Sequence, residues 1–136
     1  MNQQIYNKIS SLCSRKEMCI SDAKNYLRKF KDISEEDKTE IINQLVEENF
    51  INEVRFAKAF VNDSYKYNKW GKYKIMHALY TKYIPLKIIS EAIEIIDDEA
   101  YNEIKQTLAE NKRNSLSEDD PTREQKVQAY LKSKGF

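Results

Sequence analysis

Glycine and proline are scarce in this 136-residue chain, two of each, which removes most of the turns that a sheet-rich protein needs. No stretch sustains the alternation of a strand, so the chain reads as all-α. Cys13 and Cys19 are too few and too close for a disulfide framework, and no histidine or third cysteine lies near them to complete a zinc site. They read as reduced packing residues. The amino terminus has no continuous apolar core of signal-peptide length, and no segment approaches the roughly 20 apolar residues of a membrane span. A cytoplasmic protein without a membrane partner is expected. P-loop, glycine-rich dinucleotide turn and metal-ligand cluster are all missing, and His77, the single histidine, has neither a nucleophile nor an orienting acid nearby in sequence. No catalytic residue, metal or cofactor is assigned, and enzyme is the least supported class.

What is present is helical periodicity. With 40% hydrophobic and 33% charged residues, the chain can build small interhelical cores but little of one large interior, which favours modest units packed in series. The stretch from Glu53 to Ile96 reads as three helices joined by short turns. The first carries Ala57, Phe60, Val61, Ser64 and Tyr65 on one face. Trp70 and Gly71 interrupt, and a second stripe follows at Ile75, Met76, Leu79, Tyr80 and Tyr83. Pro85 then suits the first turn of a third helix, with Leu86, Ile89, Ala92, Ile93 and Ile96.

The same order precedes it. A helix over 3–14 uses Ile5, Ile9, Leu12 and Cys13, and a second over 20–30 uses Ala23, Tyr26, Leu27 and Phe30. Ser34 starts a third with Ile41, Ile42, Leu45 and Val46, and Asn49 suits a left-handed cap on which Phe50 and Ile51 fold back. After Asp98, Ala100, Tyr101, Ile104 and Leu108 make one stripe, residues 111–120 form a polar, acidic connection, and Asp120 and Pro121 open a helix with Val127, Tyr130 and Leu131. Ala23, Ile75 and Val127 are spaced by 52 residues, as are Tyr26, Ala78 and Tyr130, and Leu27, Leu79 and Leu131. Three apolar columns with one period predict an elongated tandem array of three-helix units over 1–51, 52–97 and 98–136, the third without its last helix.

Charge is segregated as well. Glu53 to Tyr83 holds seven basic residues against two acidic ones, whereas Ile84 to Asp120 holds four basic against ten acidic. Clustered like charges steer partners of opposite sign. The candidates for partner or nucleic-acid contact are Arg55, Lys58, Lys66, Lys69, Trp70, Lys72, Lys74 and Lys82. The basic, aromatic run from Tyr65 to Lys74 fits phosphate contact and base stacking; it fits equally a corner closed by rings and kept soluble by lysines. Arg55 suits a partner carboxylate, and equally a local helix cap or an intramolecular ion pair. Asp97, Asp98 and Glu99 read as a solvated helix start.

These features resemble the RecX family of regulators of the RecA recombinase, over nearly the whole chain. The family's Gly, aromatic, Leu/Ile, Asp, Asp, x, Arg, Phe, Ala run is similar to Phe50, Ile51, Arg55, Phe56 and Ala57. Its Gly, Pro, x, x, Ile element matches Gly71 and Ile75, and its Leu, x, x, Lys, Gly, Ile ending matches Leu79, Lys82 and Ile84. Leu131, Lys134, Gly135 and Phe136 resemble the same ending. Asn49 stands where the family has glycine, Asn52 and Glu53 replace the acidic pair, Lys72 replaces proline and Tyr83 replaces glycine. The resemblance implies a non-catalytic protein that lies in the groove of the RecA nucleoprotein filament, across neighbouring subunits; a monomer is expected. It would restrain filament growth, ATPase and strand exchange in recombination and DNA repair, with single- or double-stranded DNA as a further contact of the basic surface. Read from the residues alone, a nucleic-acid-binding protein of helix-turn-helix type acting without RecA and a helical adaptor without a DNA partner remain alternatives.

Overall fold

A computed structural model describes residues 1–136 as eight α-helices and no strand. The first three are α1 (Gln3–Arg15), α2 (Ile20–Leu27) and α3 (Glu35–Glu47). Asn2 caps α1 by accepting the Ile5 N–H at 3.1 Å, and Ser34 caps α3 by accepting that of Asp37 at 3.1 Å. Glu35, Glu36 and Asp37 occupy the positive first turn of α3. Asn49 takes the left-handed conformation at φ 63°, which lets the N–H groups of Phe50 and Ile51 both reach the Leu45 carbonyl. Ile9, Ala23, Leu27, Ile41 and Leu45 are fully buried at the centre of this first core.

The middle three helices are α4 (Glu53–Lys66), α5 (Lys72–Thr81) and α6 (Leu86–Ile93). Phe56, Ala57, Val61, Tyr65, Ile75, Leu79, Ile84, Ile89, Ala92 and Ile96 form a second core, and Cys19, from the turn before α2, inserts into it. The last two are α7 (Asp98–Asn114), capped by Asp97, and α8 (Arg123–Ser133). They enclose a smaller third core of Ala109, Val127 and Leu131. Helix α7 serves two cores: Ala100, Tyr101 and Ile104 pack against the second, and Leu108 and Ala109 belong to the third. Two of the 52-residue columns lie in the cores, Ala23, Ile75 and Val127 being buried, as are Leu27, Leu79 and Leu131; the third, Tyr26, Ala78 and Tyr130, is half-buried. Cores in series leave much surface open. The chain exposes 8906 Å², against about 7,400 Å² for a compact monomer of this mass.

Several sequence expectations are corrected. Helix α2 stops at Leu27 instead of Phe30, because the N–H groups of Arg28 and Phe30 turn to carbonyls three residues back. Helix α7 runs on to Asn114, into the stretch read as a connection, because Lys112 and Arg113 suit a carboxyl-terminal turn and Arg113 pairs with Glu110 and Glu124. Helix α8 begins at Arg123, two residues beyond Pro121; Asp120 instead holds the turn by accepting the Thr122 N–H at 2.8 Å and pairing with Lys126. Most consequential is α5. Only Ile75 and Leu79 of its expected stripe are buried, while Met76, Tyr80 and Tyr83 face outward. They form a neighbouring i, i+4, i+7 row that α4 and α6 do not cover. Leu86, expected on the buried face of α6, is exposed at its first turn, and Val46 of α3 is exposed too.

The unit boundaries are built differently. Between the first and middle helices, side chains make the joint: Arg55 Nε lies 2.7 and 2.8 Å from the two carboxylate oxygens of Glu17, and Lys82 Nζ 2.8 Å from Asp22. Between the middle and last helices, close backbone contact makes most of it, with the Tyr101 hydroxyl as one further acceptor. The first N–H groups of any helix lack intrahelical acceptors. At the start of α5 the Gly71 N–H donates to the Lys134 carbonyl at 2.7 Å, Lys72 N–H to the Tyr101 hydroxyl at 3.0 Å, and Tyr73 N–H to the Gly135 carbonyl at 3.0 Å. A Cβ on Gly71 would lie 2.2 Å from the Gly135 carbonyl carbon. The only two glycines of the chain therefore meet each other.

Candidate interaction surface

The eight candidate contact residues divide by what already holds them. Arg55 is committed within the chain: besides Glu17, its Nη2 donates to the carbonyls of Asn49 and Phe50 at 3.1 and 3.2 Å. Those carbonyls end the α3 cap, so one guanidinium fastens α4 to both the α1–α2 turn and the end of α3. Lys82 is likewise committed, its ammonium on Asp22 and 5.8 Å from the Phe56 ring centre. Both belong to the joint between the first and middle helices.

That joint is electrostatically layered. Burial alone would raise the Asp22 carboxyl, but hydrogen bonds from Lys82 and the Cys19 N–H outweigh it and hold the group below the ordinary aspartate range. Glu53, half-buried beside them, shifts the other way: burial raises it and Asp22 adds to that, against a hydrogen bond accepted from the Ile20 N–H. Its Oε2 is buried without a partner. A carboxyl in that setting favours its protonated form.

Lys72 sits at the other joint, its ammonium 3.6 Å from Asp98 and 4.9 Å from the Tyr101 ring centre. Burial pushes the Tyr101 phenol above its ordinary range. Trp70 is half-buried, edge-on to Phe60 at 6.3 Å, with the Lys74 ammonium 4.7 Å above it. Trp70 and Lys74 therefore close the corner between α4 and α5. Lys58, Lys66 and Lys69 are exposed and in no ion pair. The structure thus brings Trp70, Lys72 and Lys74 together at one end of α5, while Arg55 and Lys82 lie at a separate joint.

Sequence periodicity misses the outer face of α5 and the turn after it. Tyr73 is 75% exposed, Tyr80 61%, Tyr83 85% and Leu86 69%. His77, Tyr80, Tyr83, Pro85 and Leu86 line an open depression of ≈ 500 Å³. Tyr83 has φ 63°, a left-handed conformation that costs a non-glycine residue about 1–2 kcal/mol. One repeat later, 52 residues on, Gly135 occupies the equivalent helix end at φ 98°. The hydrogen bonds match: Ile84 N–H donates to the Leu79 carbonyl as Phe136 N–H does to that of Leu131. The departure from glycine at Tyr83 was the available sign that this ring is presented, not packed. Around it the charge has one sign, since Ser64 to Ser90 contains six lysines and no carboxylate.

No helix is long and apolar enough to cross a membrane. Comparison with known proteins gives a consistent picture. Residues 52–93 match the family described as RecX, second three-helix domain. The chain is 35% identical over 109 residues to the regulatory protein RecX of Clostridium botulinum (strain Eklund 17B / Type B), covering 78% of this chain and 50% of that protein. It is 31% identical over 97 residues to the regulatory protein RecX of Clostridioides difficile (strain 630), covering 71% and 46%. The chain thus spans about half the length of the curated relatives it matches. A crystal structure of regulatory protein RecX superposes with a TM-score of 0.87 at 25% identity, over 98% of this chain and 67% of that one. RecX from Lactobacillus salivarius superposes at 0.83 and 29%, over 96% and 85%. Sequence, domain and fold agree in likening this chain to the RecX family, whose second three-helix domain its residues 52–93 match.

Proposed function

We propose that the chain is a non-catalytic regulator that binds the RecA nucleoprotein filament and restrains its growth, ATPase and strand exchange in recombination and DNA repair. Likeness to this family supports a regulatory role, and the relatives matched are named regulatory proteins. The observation that carries the reading is the joining of a serial, open architecture to a one-signed surface: three cores in a row and, in the middle, the carboxylate-free stretch from Ser64 to Ser90. A long flank suits a helical polymer better than a small ligand, which needs an enclosing pocket. Lys58, Lys66, Lys69 and Lys74 with the Trp70 edge are the proposed contacts, whereas Arg55, Lys72 and Lys82 act mainly by holding the helices in register.

The test is a titration of the chain into RecA filaments on single-stranded DNA while ATP hydrolysis is followed. Inhibition at ratios well below one chain per RecA subunit is the expected result. Tight, steeply salt-dependent binding to bare DNA with no effect on the filament would instead support the helix-turn-helix alternative.

A further inference from the structure

Among the exposed features, the corner between α5 and α6 is the least explained by the fold. Tyr80, Tyr83 and Leu86 each leave most of their side chain in water, and with His77 and Pro85 they surround one depression. Large apolar groups gathered at one exposed site mark contact surfaces, whereas scattered ones do not. Tyr83 adds a separate observation. It occupies a left-handed helix end at which the following repeat has Gly135, so its backbone is strained while the residue is 85% exposed and lies in none of the cores. Neither core packing nor turn geometry accounts for tyrosine there.

The chemistry of the rim indicates the partner. Lys87 follows Leu86, and the cleft on the other side of Tyr83 is lined by Lys24 and Arg28. None of these three is in an ion pair. The two carboxylates of that cleft are turned inward, Asp22 onto Lys82 and Glu53 with its buried oxygen. Aromatic anchors within a cationic rim are the makings of a protein contact. The Tyr80, Tyr83 and His77 rings suit a base or a side chain alike, but Ile84, Pro85 and Leu86 add aliphatic surface that a stacked base does not use, which favours polypeptide over single-stranded nucleic acid.

We infer that the Tyr80, Tyr83 and Leu86 corner is an anchoring site for a polypeptide segment bearing apolar side chains flanked by carboxylates. The inference rests on the filament reading above, and assigns that contact to a RecA protein surface instead of the DNA.

The labelled chain, wild type and with Tyr83→Gly or Tyr80→Ala, is titrated with RecA filaments and, separately, with a bare single-stranded oligonucleotide. Circular dichroism and melting follow the fold. Tyr83→Gly relieves the strained backbone, so its melting temperature stays at or above that of the wild type. Each variant is expected to bind the filament about 10- to 30-fold more weakly, as truncating an anchor residue does, with oligonucleotide binding unchanged. Wild-type filament affinity in both variants overturns the inference. A parallel loss of oligonucleotide binding would overturn it in favour of a nucleic-acid surface, and wild-type self-association abolished by the variants would assign the corner to a second copy. A folded wild-type chain without filament affinity overturns the filament reading and this inference with it.

Discussion

The two joints of this chain hold neighbouring units by different means, chiefly ion pairs at one and chiefly backbone contact at the other. At the first, Arg55 grips Glu17 and Lys82 grips Asp22, long side chains reaching across a gap. At the second, Gly71 and Gly135 bring two backbones into contact, and the free N–H groups of α5 take the carbonyls of Lys134 and Gly135. Side-chain pairs tolerate small shifts but respond to salt and pH, because part-exposed charges are screened and titrate. A backbone contact is indifferent to both, and intolerant of a single added methyl.

The contrast is sharpened first by Gly71→Ala. Its Cβ would meet backbone, which cannot rotate away, so α8 must withdraw and the first turn of α5 loses acceptors. A loss of about 3 kcal/mol is expected, read by urea unfolding, with faster hydrogen exchange in α8. A loss under about 0.5 kcal/mol would mean the close approach is dispensable. Tyr101→Phe removes only the hydroxyl that accepts the Lys72 N–H, and should cost about 1–2 kcal/mol by the same measurement. At the side-chain joint, Arg55→Ala should cost about 1 kcal/mol at low salt and less at high salt, since the pair is partly exposed. Equal losses at both salt concentrations would contradict a charge-based joint.

The smallest effect is one of pH. Glu53 binds its proton more tightly folded than unfolded, so its protonated form favours the fold, and that stability is lost as pH rises above the ordinary glutamate value, about 4.3. Asp22 acts with the opposite sign: its contribution is present above the ordinary aspartate value, about 3.9, and lost as pH falls through its lower folded value. Glu53→Gln removes the first effect alone. The stability of this variant relative to wild type should therefore rise between pH 4 and pH 7 in urea unfolding. A difference that does not change with pH would show that Glu53 is not strained at the joint.

The helices and their repeat were legible because burial imposes the periodicity that sequence displays. Ala23, Ile75 and Val127 recur at one interval and all lie in cores. Caps at Ser34 and Asn49 were legible because each is a local exchange between a side chain or turn and neighbouring backbone. Which lysines are free was not. Lys82 and Lys69 look alike in sequence, yet one is taken by Asp22, 60 residues away, and the other is exposed. Nor could α5 be oriented by pattern, since Ile75 and Leu79 alternate around the helix with Met76 and Tyr80, and only the position of α4 and α6 decides which pair is covered. Gly71 was read as a pause between helices; its steric role depends on a residue in another unit.

The backbone joint also sets an order of events during synthesis. The acceptors that complete the first turn of α5 are emitted from the ribosome about sixty residues after it. Until then the middle unit has an open end, and a distant contact forms late because its loop must first close. Translation of α8 is thus the last step in finishing a helix made long before it.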